Sequence, residues 1–129
     1  MLPKITRKNL FTTALTGIVG VGLILGCGGP GRTCVGELTV DGKTYQGRDP
    51  SEAQARQNTC SKYCIEGDAG YDRLYQEFIK TPESKKVIGL DKWSAQAENK
   101  KLGEYVRQCE QDCLKQHTDG TRRIEVKCQ

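Results

Sequence analysis

The residues best equipped for chemistry are the cysteines, seven in a chain of 129. Two pairs repeat one spacing, Cys60 with Cys64 and Cys109 with Cys113. A separation of four places both thiols of a pair on one face of a helix. Oxidised, such pairs join two helices by two disulfides. As thiolates they would ligate zinc, although metal knuckles favour the tighter Cys-x2-Cys turn. A redox couple would want Cys-x2-Cys at a helix start with one thiol of lowered pKa, whereas these pairs fall late in their helices. Covalent haem needs a Cys-x2-Cys-His run, which the sequence lacks. Crosslinking is the reading the spacing favours, with no cofactor, no metal set and no catalytic residue assigned.

Two antiparallel helices would form the rungs Cys60–Cys113 and Cys64–Cys109, and a parallel pair would swap them. Reversal between consecutive short helices favours the antiparallel choice. Cys34 and Cys128 are then left for each other, tying the first strand to the last. The twin Cys-x3-Cys motif is similar to the stapled helical hairpins of mitochondrial intermembrane-space proteins, with a longer separation here and shared mechanics rather than kinship.

The seventh cysteine closes a different pattern. Lys4, Arg7 and Lys8 make a positive start, no acid occurs before Glu37, and Leu10 to Leu25 is weakly apolar. Ile24-Leu25-Gly26-Cys27, which ends this run, resembles the lipobox of bacterial lipoprotein precursors. The resemblance implies that residues 1–26 are a cleaved signal peptide and that Cys27 carries lipid. It makes 27–33, with Gly28-Gly29-Pro30-Gly31, a flexible tether, and 34–129 a domain outside the cytoplasm, in the cell envelope. Setting Cys27 aside leaves six cysteines, the even number that three disulfides require. Two other readings stay open. The apolar run is an uncleaved single-span anchor, slightly short of the roughly 20 residues that cross a bilayer, or it belongs to a mitochondrial presequence.

Removing the first 26 residues also changes the charge. The whole chain is +4, with 20 basic and 16 acidic residues, but three of those bases lie in the leader. A domain near neutrality with no basic stripe gives no footing for nucleic acid. A domain of about 100 residues has a modest core, so crosslinks should matter to it.

The elements that must position the cysteines follow in order. Cys34 to Val40 and Lys43 to Gln46 are β-prone and flank Asp41-Gly42, a hairpin turn. Asp49-Pro50-Ser51-Glu52 predicts a helix start, with Asp49 as cap and Pro50 in the first turn. That helix should turn Ala53, Gln57, Cys60 and Cys64 to one side and stop near Gly67. Tyr71, Leu74, Tyr75, Phe78 and Ile79 predict an amphipathic helix over 69–80. Thr81-Pro82 opens a third helical region. A long helix over 91–117 should align Trp93, Ala97, Tyr105, Cys109 and Cys113. Asp119-Gly120 ends it, and Arg122 to Lys127 alternates as a strand. The expected fold is α+β, a three-stranded antiparallel sheet of the hairpin and the last strand, packed on about three helices.

Other candidate groups read as structural. His117, the one histidine, sits where a helix C-terminus favours a cation. Glu110 and Asp112 read as solvated carboxylates. Lys85-Lys86, Lys100-Lys101 and Arg122-Arg123 read as solvated faces, and Trp93 and the five tyrosines as core or half-buried packing. No nucleophile-elbow pattern accompanies a serine. The expectation is a non-enzymatic interaction or structural module, held to membrane lipid through Cys27 and serving an envelope protein partner. Its rival is an exported enzyme with dispersed site residues around His117.

Overall fold

A computed structural model describes residues 31–129. The leader, Cys27 and its lipid lie outside the described residues. The fold is α+β, one compact unit from Thr33 to Gln129. Strands β1 (Cys34–Val40) and β2 (Lys43–Asp49) form an antiparallel hairpin in which Val40 faces Lys43. Its turn is the expected one: Asp41 and Gly42 both adopt positive φ, 51° and 79°, the conformation that matches strand twist in a two-residue hairpin. Strand β3 (Glu125–Cys128) pairs antiparallel with the other edge of β1, in the order β2-β1-β3. Main-chain bonds between Thr33 and Gln129 extend that ladder by one step.

Helix α1 (Glu52–Glu66) lies on the sheet. Its cap corrects the expectation. Ser51, not Asp49, accepts from the Gln54 amide, while Asp49 ends β2 and its carboxylate receives the Ser51 amide at 2.9 Å. Pro50 therefore joins strand to helix instead of starting the helix. The buried side is corrected too: Ala55, Thr59, Cys60, Cys64 and Ile65 are buried, whereas Ala53 and Gln57 are exposed. The close approach that selects this side is made by glycine. A Cβ on Gly36 would come within 2.4 Å of Thr59 Oγ1, and one on Gly47 within 2.3 Å of the Thr59 nitrogen. These two glycines face each other across β1 and β2, so the helix axis settles over them and Thr59 turns inward.

Helix α2 (Ala69–Phe78) is capped by Asp68, which receives the Tyr71 amide at 2.9 Å. The stretch after Thr81-Pro82 forms only a 3-10 turn, Ser84–Lys86. The single long helix expected over 91–117 is two: α3 (Lys92–Glu98) and α4 (Lys100–Thr118). Asn99 separates them in extended conformation (φ −132°, ψ 121°), and its carboxamide takes the Leu102 amide at 3.1 Å. An Asn side chain that bonds a nearby amide offers the backbone an alternative to continuing the helix. The break undoes the expected stripe: Ala97 and Trp93 are exposed, and Ala95 is buried in their place.

The core has two parts. One gathers Ile65, Tyr71, Phe78, Ala95, Leu102 and Val106 from all four helices. The other gathers Leu38, Cys60, Cys113 and Ile124 between the sheet and the helices. Sulfur is thus part of the apolar interior.

Candidate functional site

Every described cysteine is in a disulfide. Cys60–Cys113 and Cys64–Cys109 join α1 to α4, each with Cα atoms 5.9 Å apart. Cys34–Cys128 joins β1 to β3, with Cα atoms 3.9 Å apart. These are the three expected bonds. The helical rungs require α1 and α4 to be antiparallel, because the earlier cysteine of one pair meets the later of the other. Cys34, Cys60 and Cys64 are fully buried. A hydrogen bond from Ser61 Oγ to Glu110 Oε1 at 2.5 Å joins the same helices beside the rungs, so Glu110 is a crosslink and not merely solvated.

Three disulfides belong to a protein that matures in an oxidising, extracytoplasmic compartment. Among the described residues, no helix is long and apolar enough to cross a membrane. Nor does any group of three His, Cys, Asp or Glu side chains gather there as a metal site.

His117 is held by the main chain. Its Nδ1 accepts from the Ile124 amide at 3.3 Å. Arg122 is held from the same helix: Gln116 main-chain oxygen receives its amide at 3.0 Å, and Gln116 Oε1 receives its Nε at 2.8 Å. The Arg122 guanidinium lies 4.6 Å from the Tyr63 ring centroid, a cation–π contact, so this arginine is not part of a solvated face. Together these bonds guide the chain from the end of α4 into β3.

Beside them a cleft of about 240 Å³ opens between α1 and α4, lined by Tyr63, Asp68, Tyr105, Gln108, Asp112, Gln116 and Arg122. A second groove, of about 670 Å³, runs between the end of β1 and residues 121–125. Neither is lined by His117 or by a serine. Two phenols at this side are hard to ionise. Tyr105 donates to Asp68 at 2.6 Å, and that hydrogen bond, with burial and the Asp68 charge, pushes it up to about 12. Tyr71 is raised to about 12 by burial, then by the charges of Tyr75 and Asp91, and it donates to the Lys92 carbonyl at 2.5 Å. Asp91 is itself held below the usual carboxylate range by the Ser94 amide and hydroxyl.

The sequence placed the sulfurs well and the exposed residues poorly. It gave no sign of the Arg122–Tyr63 contact. Trp93, read as core or half-buried packing, is 42% exposed, so its core alternative falls, and it donates from its indole to Glu66 at 3.0 Å. Comparison with family models, with curated proteins and with solved structures finds no match to this chain.

Proposed function

We propose that this chain is an exported lipoprotein, anchored by lipid on Cys27 at the extracytoplasmic side of an envelope membrane. The domain from residue 34 acts as a non-enzymatic interaction or structural module, an accessory subunit of an envelope complex. One observation carries the reading. The six cysteines from Cys34 to Cys128 pair among themselves, which leaves Cys27 the odd sulfur, at the end of a lipobox-like run. Diacylglycerol supplies the two chains that stable anchoring takes, without a spanning helix.

The test is the intact mass of the protein isolated from membranes. A mature chain that begins at a diacylglyceryl Cys27 supports the reading, and Cys27→Ser should then leave an uncut precursor. An unlipidated full-length chain, or a mature end elsewhere, sinks the anchor. Co-purification from detergent-solubilised membranes would identify the partner.

A further inference from the structure

The cleft between α1 and α4 is bordered by an arginine that the fold holds firmly and leaves short of partners. Arg122 is gripped at three points. Its amide meets the Gln116 carbonyl, its Nε meets Gln116 Oε1 at 2.8 Å, and the guanidinium lies over the Tyr63 ring. Its Nη1 is buried and has no hydrogen-bond partner. Among the described residues no carboxylate pairs with this guanidinium. A buried donor left unmatched costs free energy, and more so on a charged group. The grip secures the turn from α4 into β3, yet it leaves the positive charge without a counterion.

The same cleft carries negative charge. Asp68 accepts the Tyr71 amide and the Tyr105 hydroxyl, both on Oδ1, so Oδ2 keeps its lone pairs. Asp112 is exposed and accepts from Gln108 at 3.1 Å. With Tyr63 and Tyr105, these two carboxylates and the guanidinium line one space of about 240 Å³. Clefts for drug-sized ligands begin at about 300 Å³, so this one suits a smaller molecule.

The charges then choose among small molecules. A pure anion would meet Arg122 but also face two carboxylates. A pure cation would pair with a carboxylate and leave the guanidinium as it is. A molecule with both charges satisfies both sides.

We propose that this cleft binds a free α-amino acid, with its carboxylate on Arg122 and its ammonium on Asp68 and Asp112. Guanidinium–carboxylate bonds are charge-assisted, and they strengthen where walls keep water away. Because Arg122 is already held in place, binding has little side-chain freedom left to remove. Cys60–Cys113 and Cys64–Cys109 fix the two helices that form the walls, so the cleft exists before its ligand arrives. The site stands whether or not Cys27 carries lipid. It gives the domain a ligand rather than a reaction.

Calorimetric titration of the full-length protein in detergent tests the site, with each of the twenty standard amino acids in turn. At least one should bind with a dissociation constant below about 1 mM. Its N-acetyl and carboxamide derivatives each lack one of the two charges and should bind about tenfold more weakly or worse. Arg122→Gln should weaken the amino acid by a similar factor. So should the pair Asp68→Asn with Asp112→Asn, which removes the negative charge yet keeps an oxygen to cap α2 and receive Tyr105. Thermal melts show which variants are folded. Where Arg122→Gln is not, the paired variant and the carboxamide decide. Failure of all twenty amino acids to bind, equal binding of either derivative, or unchanged affinity in the paired variant overturns the proposal.

Discussion

The amide of Gly47 donates to the hydroxyl of Thr59 at 3.1 Å, and the same hydroxyl donates to the Ala55 carbonyl at 2.8 Å. Through this one side chain, β2 and α1 are joined where the helix crosses the hairpin. The contact exists because Gly47 and Gly36 have no Cβ to hold the helix off. Strand glycine normally weakens a sheet. Here the loss is offset by the burial of Cys60, Cys64 and Leu38 beneath the helix.

Gly47→Ala should therefore destabilise the domain by about 1–3 kcal/mol, the usual range for overpacking. The added carbon would meet main-chain atoms of Asn58 and Thr59 that cannot swing aside. Urea unfolding measures it, and a variant of unchanged stability would mean that α1 is not seated as described.

The three disulfides close loops of similar entropy. Separations of 94, 53 and 45 residues give about 4–5 kcal/mol each when taken alone, with less than about 1 kcal/mol between longest and shortest. Burial then decides the ranking. Replacing both Cys60 and Cys113, which are 0% and 2% exposed, by Ser puts two hydroxyls into the core and should cost most. The pair replaced by Ala should be milder. Thermal melts of the paired variants give the order, and non-reducing peptide maps should recover the three links with no free thiol beyond residue 27.

His117→Ala removes the acceptor of the Ile124 amide. A loss of about 1 kcal/mol is expected, the typical net value of one hydrogen bond. Amide exchange at Ile124 should quicken more than exchange in β2. Equal protection in both proteins would show that β3 and its disulfide hold the segment without the histidine.

Tyr71 and Tyr105 are raised from the ordinary 10 to about 12. A phenol raised in the folded state binds its proton more tightly there than in the unfolded chain. Its stabilising effect is complete below about pH 10 and is lost as pH climbs from about 10 to 12. Rapid absorbance titration should show two of the five tyrosines ionising late. Tyr105→Phe should remove one late phenol and leave the other. Five phenols titrating together near 10 would contradict the geometry.

Much of the fold was legible in the sequence because its signals are local or arithmetic. Asp41-Gly42 forces a turn, Tyr71 to Phe78 shows a helical stripe, and Cys-x3-Cys puts two sulfurs on one face. Parity separated Cys27 from the six that pair. The misses came where one position had to choose between competing local bonds. Ser51 and Asp49 can each cap a helix, and only the length of β2 gave Asp49 to the strand. Asn99 lies within a helical pattern, yet its carboxamide takes an amide of the next turn and splits the pattern in two.

By itself, then, the sequence determined the hairpin, most of the helical stretches and the face that each cysteine pair shares, since backbone preference and spacing act over a few residues. Which side of α1 would be buried was decided only by tertiary structure, where the paired glycines and the rungs to α4 fix the helix from two directions. The same holds for the exposed groups. Whether Trp93 packs inside or displays its ring depends on how α3 and its loop are held against Glu66, Asp72 and the helical core. Such contacts join residues far apart in the chain, and no spacing within one segment encodes them.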